Sequence, residues 1–251
     1  MSSAGAFDAS GPAGAPTIIL LHGSSETRRQ WQPQARALSD SFHVIAADLP
    51  AHGVLVGTPF RLDDVVAWLS NLITLHAGGR AILAGISLGG YVTMEFASRH
   101  PEQVAGAVAL SCTAEPTGPG AALFLVATWF MSLAPLPLLR VMKRVAGDFL
   151  YSPEAAELLT GFCFRGGAQG IRAVLWRSFV EKIRAFPGPI LFINGQRDWP
   201  FRFNERRFLA AAQHGRLEVI PRAYHVCNLD DSARVTSLIR DFAGTVSAAP
   251  R

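Results

Sequence analysis

The sequence predicts an α/β fold, a mostly parallel sheet with helices on both faces and a helical segment inserted between two core strands. Three observations predict it. Short apolar runs alternate with longer stretches whose apolar residues recur every three or four positions, the pattern of buried strands joined by crossover helices. That alternation lapses between residues 113 and 187 and then resumes. At residues 80–99, RAILAGISLGGYVTMEFASR, an apolar strand runs directly into a helix through a serine flanked by glycines.

Taken in order, residues 1–16 are small and rich in Gly, Pro and Ala, with room for one weak edge strand at 6–9. Residues 17–21 form a buried strand running into His22-Gly23-Ser24-Ser25. A helix follows over about 27–39, with Trp31 and Leu38 inward. The strand at 42–47 ends at Asp48-Leu49-Pro50-Ala51-His52-Gly53, a loop by its Pro and Gly. Residues 62–76 form an amphipathic helix, since Leu62, Val65, Val66, Leu69, Leu72 and Ile73 share one face. The strand at 80–86, a helix from 90 to 99 and a strand at 104–110 complete the first part. After the lapse come a strand at 189–194, a helix near 203–213, a strand at 217–220 and a closing helix at 231–242. The core is therefore one domain in two pieces, 1–112 and 188–251, with 113–187 as a helical insertion.

The insertion is rich in large apolar residues, among them Trp129, Phe130, Tyr151 and Trp176. Its stretch AALFLVATWFMSLAPLPLL is apolar enough to suggest a membrane span, but Pro135 and Pro137 interrupt it and no second span accompanies it, so no membrane partner is expected. The formal charge is +4 over 251 residues, and the arginines are scattered without a basic stripe, which argues against nucleic-acid binding. Cys112, Cys163 and Cys227 have no metal-like spacing and read as reduced, buried thiols of a cytoplasmic protein. The N-terminus has neither a basic n-region nor an apolar h-region, so no secretory signal is expected.

Gly85 and Gly89 let strand and helix approach closely, so the Ser87 hydroxyl points out of the sheet. A serine hydroxyl is a weak nucleophile unless a base takes its proton and donors hold the developing charge. Three further loops at carboxyl ends of strands carry suitable groups: His22-Gly23-Ser24, Gly195-Gln196-Arg197-Asp198 and Ala223-Tyr224-His225. Function collects at that end of parallel sheets.

Through LHGSS, DLPAHG, GISLGG, HPEQVAGAVALS, INGQRD and IPRAYHVCNLD, residues 17–242 resemble the α/β-hydrolase superfamily, close to small bacterial serine ester hydrolases with a helical cap. The resemblance implies Ser87 as nucleophile, His225 as general base and Asp198 as the orienting carboxylate. It implies the backbone N–H groups of Ser24 and Leu88 as the oxyanion hole. Segment 113–187 becomes the cap, with Trp129, Phe130 and Trp176 as candidate pocket residues. The implied activity is hydrolysis of a small-to-medium apolar ester, a small-molecule substrate, through an acyl-enzyme that needs neither metal nor organic cofactor. The same triad also serves a thioesterase acting on acyl-carrier or coenzyme-A thioesters, whose anionic carrier would meet cap residues such as Arg140, Lys143 and Arg144. It serves a C–C bond hydrolase as well, and the fold also hosts lyases and ligand-binding receptors. The oligomeric state is left open.

Two departures from the family pattern stand out. The opening strand hairpin fits at most by half, so the sheet is expected to be short at that edge. The usual glycine before the histidine of the second loop is Ala51. Glu115 competes with Asp198 for the acid position, because some relatives place the acid after the preceding strand. His22 and Asp48 are expected to orient backbone; His52, His76, His100 and His214 are expected on surface loops or helix ends.

Overall fold

The structure, a computed structural model, describes residues 5–150, 155, 158, 159 and 161–248. Tyr151 of the insertion lies outside these. The described strands form one seven-stranded sheet in the order β1-β3-β2-β4-β5-β6-β7. They are β1 (Phe7–Ser10), β2 (Thr17–Leu21), β3 (His43–Ala47), β4 (Ala81–Ile86), β5 (Val104–Leu110), β6 (Pro189–Gly195) and β7 (His214–Ile220). Every neighbouring pair is parallel except β1 with β3. Among the described residues a single antiparallel strand stands at this edge, in line with the half hairpin expected there.

Strands covered on both faces need apolar residues at successive positions, and alternate side chains then feed two cores. In β2, Ile19 and Leu21 belong to the core that also holds Trp68 and Leu69 of α2 (Leu62–His76), Phe96 of α3 (Leu88–Arg99) and Phe192 of β6. Ile18 and Leu20 face the other way, against Leu38 of α1 (Gln32–Leu38), Trp31 in the short 3-10 turn before it, and the closing helix, which contributes Val235, Leu238 and Ile239. Pro33 sits in the first turn of α1, and the N-terminal part of the expected 27–39 helix is instead that 3-10 turn, Arg28–Trp31.

The insertion between β5 and β6 is helical, as the lapse in alternation predicts. It contains α4 (Gly118–Leu133), α5 (Leu136–Leu150), α6 (Phe164–Val174) and α7 (Phe179–Ala185). Pro135 falls in the two-residue turn between α4 and α5, where its missing N–H costs no helical bond. Beyond β6 come the short α8 (Trp199–Arg202) and α9 (Glu205–Ala211), then β7, α10 (Cys227–Asp230) and the closing α11 (Ser232–Ala248). Cys112 and Cys227 are buried thiols, with the Cys227 pKa pushed up to about 12 chiefly by burial. Cys163 is only half-buried, and its sulfur accepts the Gly53 N–H at 3.4 Å.

Candidate active site

The sheet places four loops together. β2 and β4 are neighbours, and the chain winds outward from them in opposite directions, so their carboxyl ends open a crevice at the switch point. Ser87 stands at that point with φ 53° and ψ −115°, a strained backbone for a serine. Two glycines permit the turn. A Cβ on Gly85 would lie 2.1 Å from the Gly89 carbonyl oxygen, and one on Gly89 would lie 2.2 Å from that of Leu21. The Ser87 N–H is tied to the Leu110 carbonyl at 2.8 Å, which fixes the turn against β5.

Asp198 follows β6 and His225 follows β7, and the His225 Nδ1 lies 2.8 Å from the Asp198 carboxylate. An ionised carboxylate only accepts, so Nδ1 carries the proton and Nε2 keeps its lone pair. Asp198 is buried, the Phe201 ring stacks 4.2 Å from the imidazole, and the loop before His225 is pinned by Tyr224 N–H donating to Asp230 at 2.7 Å. The rival carboxylate is committed elsewhere. Glu115 accepts the N–H groups of Phe179 (2.8 Å) and Val180 (3.2 Å) at the start of α7, which ties the two ends of the insertion to each other.

The Ser24 and Leu88 N–H groups sit on either side of the elbow, one in the loop after β2 and one at the first turn of α3. Among the described residues neither meets a protein acceptor. The Ser24 loop is held from below by two histidines. His22 Nδ1–H donates to the Gly23 carbonyl and its Nε2 accepts the Leu49 N–H at 2.9 Å. His52 Nδ1–H donates to the Pro50 carbonyl and its Nε2 accepts the Ser25 N–H at 3.3 Å. His22 orients backbone as expected. His52 does not lie on the surface: it is fully buried, because the Pro-Ala-His-Gly turn folds under the Ser24 loop, with Ala51 taking the left-handed φ of 65° usually given to glycine.

Each imidazole both donates to a carbonyl and accepts from an amide, so only the neutral form fits. Burial pushes both pKa values below the ordinary histidine range, with the neighbouring ring adding to the effect at His22. Below about pH 6.5 the unfolded chain therefore binds more protons than the folded one, and stability falls as pH drops through that value. Urea midpoints are expected to be lower at about pH 5.5 than at about pH 7, with a shallower slope in His52→Phe. An unchanged slope in that variant would remove His52 from the account.

Sequence reasoning missed one further connector, Gln30. Its side-chain oxygen accepts the Gly23 N–H at 2.8 Å, and its own carbonyl accepts from Asn228 at 3.1 Å, so it bridges the Ser24 loop to the segment after His225. A polar residue on the inner side of an apolar pattern was the only signal.

Two cavities meet at Ser24, Ser87, Ile171 and Phe201. The first, about 480 Å³, extends past Leu88 and Tyr91 to Phe124, Leu175, Trp199 and Arg207. The second, about 430 Å³, contains His225 and is walled by Phe130, Met131, Leu139, Met142 and Phe164. Helix α6 seats directly on the Ser24 loop: a Cβ on Gly167 would lie 2.2 Å from Ser25 Oγ. Of the three expected pocket aromatics, Phe130 lines the second cavity, whereas Trp129 and Trp176 line neither. Trp129 is 61% exposed and turned to solvent. Trp176 takes a left-handed φ of 64° and points outward.

Parts of the chain are similar in sequence to known proteins, and its fold is similar to solved structures. An AB hydrolase superfamily protein of Gibberella zeae is 37% identical over 94 residues, covering 36% of this chain and 33% of that protein. A pimeloyl-[acyl-carrier protein] methyl ester esterase of Aromatoleum aromaticum is 31% identical over 143 residues, covering 56% of this chain and 52% of that protein. The matched stretches thus span about a third to a half of those relatives. The crystal structure of a hydrolase from Pseudomonas aeruginosa shares the fold with a TM-score of 0.84 at 22% identity, covering 95% of this chain and 93% of that one. The model of the Alpha/beta hydrolase family matches residues 18–238, nearly the whole described sheet with its insertion, and the chain belongs to that family.

Proposed function

We propose that this chain is a serine ester hydrolase, with Ser87 as nucleophile, His225 as general base, Asp198 as the orienting carboxylate, and the Ser24 and Leu88 N–H groups as the oxyanion hole. The observation that carries this reading is the His225–Asp198 bond of 2.8 Å, which leaves Nε2 an acceptor in the cavity that Ser87 also lines. Ser87 attacks the ester carbonyl as its proton passes to Nε2, and the oxyanion is held by the two N–H donors, each worth roughly 3 kcal/mol in comparable sites. His225 then gives the proton to the departing alkoxide. Water deprotonated by His225 attacks the acyl-enzyme, and Ser87 recovers its proton as the acid leaves.

The two halves of the substrate are read from the cavity in which the imidazole lies. The alcohol is protonated on the His225 side, so it occupies the second cavity, and the acyl group extends past Leu88 into the first. Segment 113–187 acts as a cap, since its helices supply walls to both cavities. Mostly apolar walls suit an apolar small-to-medium ester, and the methyl ester esterase among the relatives supports an ester over a thioester. Incubation with a fluorophosphonate probe is expected to add one adduct mass to the protein and none to Ser87→Ala. In a substrate panel, p-nitrophenyl esters are expected to turn over faster than acyl-coenzyme-A thioesters. Absence of an adduct on the unaltered protein would overturn the acyl-enzyme and favour a lyase or receptor.

A further inference from the structure

Two helices of the insertion carry apolar stripes that the described chain leaves open. On α4, Val126, Trp129, Phe130 and Leu133 stand at positions i, i+3, i+4 and i+7. On α5, Leu138, Val141, Met142 and Val145 repeat that spacing, and these side chains are 44% to 72% exposed. This is the periodicity of a helix face built for burial, here turned to solvent. Phe130 and Met142 belong to the stripes and also line the second cavity, so the apolar surface continues into its mouth.

The charges interleaved with the stripes are basic, and the first acid along α4 and α5 is Asp148, beyond the last stripe residue. Residues 118–147 contain Arg140, Lys143 and Arg144 and no Asp or Glu. Arg140 and Arg144 are exposed, and Arg172 of α6 reaches Ser132 at the end of α4 at 3.0 Å. An apolar, basic surface with an exposed tryptophan suits helices lying in the headgroup plane of an anionic bilayer. It does not suit a span: among the described residues no helix is long and apolar enough to cross a membrane. Nor does it suit a second copy of this chain. A two-fold contact sets like patches against each other, and Arg140 and Arg144 would face their own equivalents, with Asp148 the single acid on α4 and α5 against three basic residues.

We infer that α4 and α5 form a docking face for an anionic lipid surface, from which an apolar ester reaches Ser87 through the mouth of the second cavity. Only the second half of that statement rests on the ester-hydrolase reading. The test uses the full chain with large unilamellar vesicles of phosphatidylcholine, alone or mixed equally with phosphatidylglycerol. Cosedimentation is expected to be about tenfold stronger or more with the mixture and to weaken with added salt. The triple variant Val126→Glu/Val141→Glu/Val145→Glu, which touches neither cavity, is expected to lose that binding while hydrolysing p-nitrophenyl acetate at the unaltered rate. Arg140→Glu/Arg144→Glu keeps the apolar face and is expected to lose the preference for phosphatidylglycerol, so the test survives a triple variant that fails to fold.

Failure of the unaltered protein to sediment with the mixed vesicles would overturn the docking face. So would a dimer that the triple variant abolishes, or binding of an acidic acyl-carrier protein in place of vesicles. Fluorophosphonate labelling separates the two claims. A labelled protein that ignores vesicles loses the docking face alone, and an unlabelled protein that binds them loses the hydrolase alone.

Discussion

Asp198→Asn is expected to lower kcat on a p-nitrophenyl ester about ten-thousand-fold while leaving KM and the unfolding midpoint close to those of the unaltered protein. The carboxylate is buried and accepts the Nδ1 proton of His225 at 2.8 Å. An asparagine of the same shape offers an amide there. When its N–H group faces Nδ1, the imidazole must accept at Nδ1 and carry its proton on Nε2, where it has no lone pair for the Ser87 proton. The effect is one of tautomer rather than of packing, which is why folding is spared. Glu115→Gln provides the contrast, because that side chain supports Phe179 and Val180 at the start of α7. There the melting temperature is the parameter expected to fall, with a rate loss orders of magnitude smaller. If Asp198→Asn stayed within about tenfold of the unaltered kcat while Glu115→Gln collapsed, the acid would have to be reassigned to the end of β5.

The sheet was legible because burial on both faces leaves a continuous apolar signature, and the predicted strand at Val104–Leu110 and helix at Leu62–His76 coincide with the observed ones. The candidate site was legible for a related reason. Its groups sit at strand ends, where a short loop holds each at a fixed distance from an apolar run. What escaped the sequence depends on neighbours remote in the chain. His52 looked like an exposed loop residue because nothing local shows that Ser25, 27 positions earlier, turns its N–H toward it. The walls of the cavities escaped in the same way. An apolar residue on a cap helix reads alike whether it faces the cleft or solvent, and Trp129 and Phe130, adjacent in the chain, divide on that point. β7 was read short because its first residues, His214 to Arg216, are exposed and polar, and pairing with Pro189 to Leu191 of β6 decides them.

Gly89→Ala is expected to damage both stability and turnover, although it adds a single methyl group. Its Cβ would lie 2.2 Å from the Leu21 carbonyl oxygen and 2.7 Å from that of His22. Both obstacles are backbone, so no side-chain rotation relieves them; α3 or the end of β2 must move. Leu21 is the last residue of β2, and three residues later the chain presents the Ser24 N–H. A shift at Leu21 therefore moves one of the two proposed oxyanion donors, and a shift of α3 moves the other, Leu88. Overpacking of this kind costs about 1–3 kcal/mol or more. Misplacing a donor in the proposed oxyanion hole adds a loss of about a hundredfold in kcat, with substrate affinity less affected. Gly244→Ala in α11 is the control for alanine in itself. Nothing lies within 4 Å of the Cβ it would add, and relief of backbone entropy is expected to raise stability by about 0.5–1 kcal/mol. A Gly89→Ala protein that melts with the unaltered chain and turns over at its rate would mean that the elbow tolerates a Cβ, and the close approach of α3 to β2 would then have no part in setting the site.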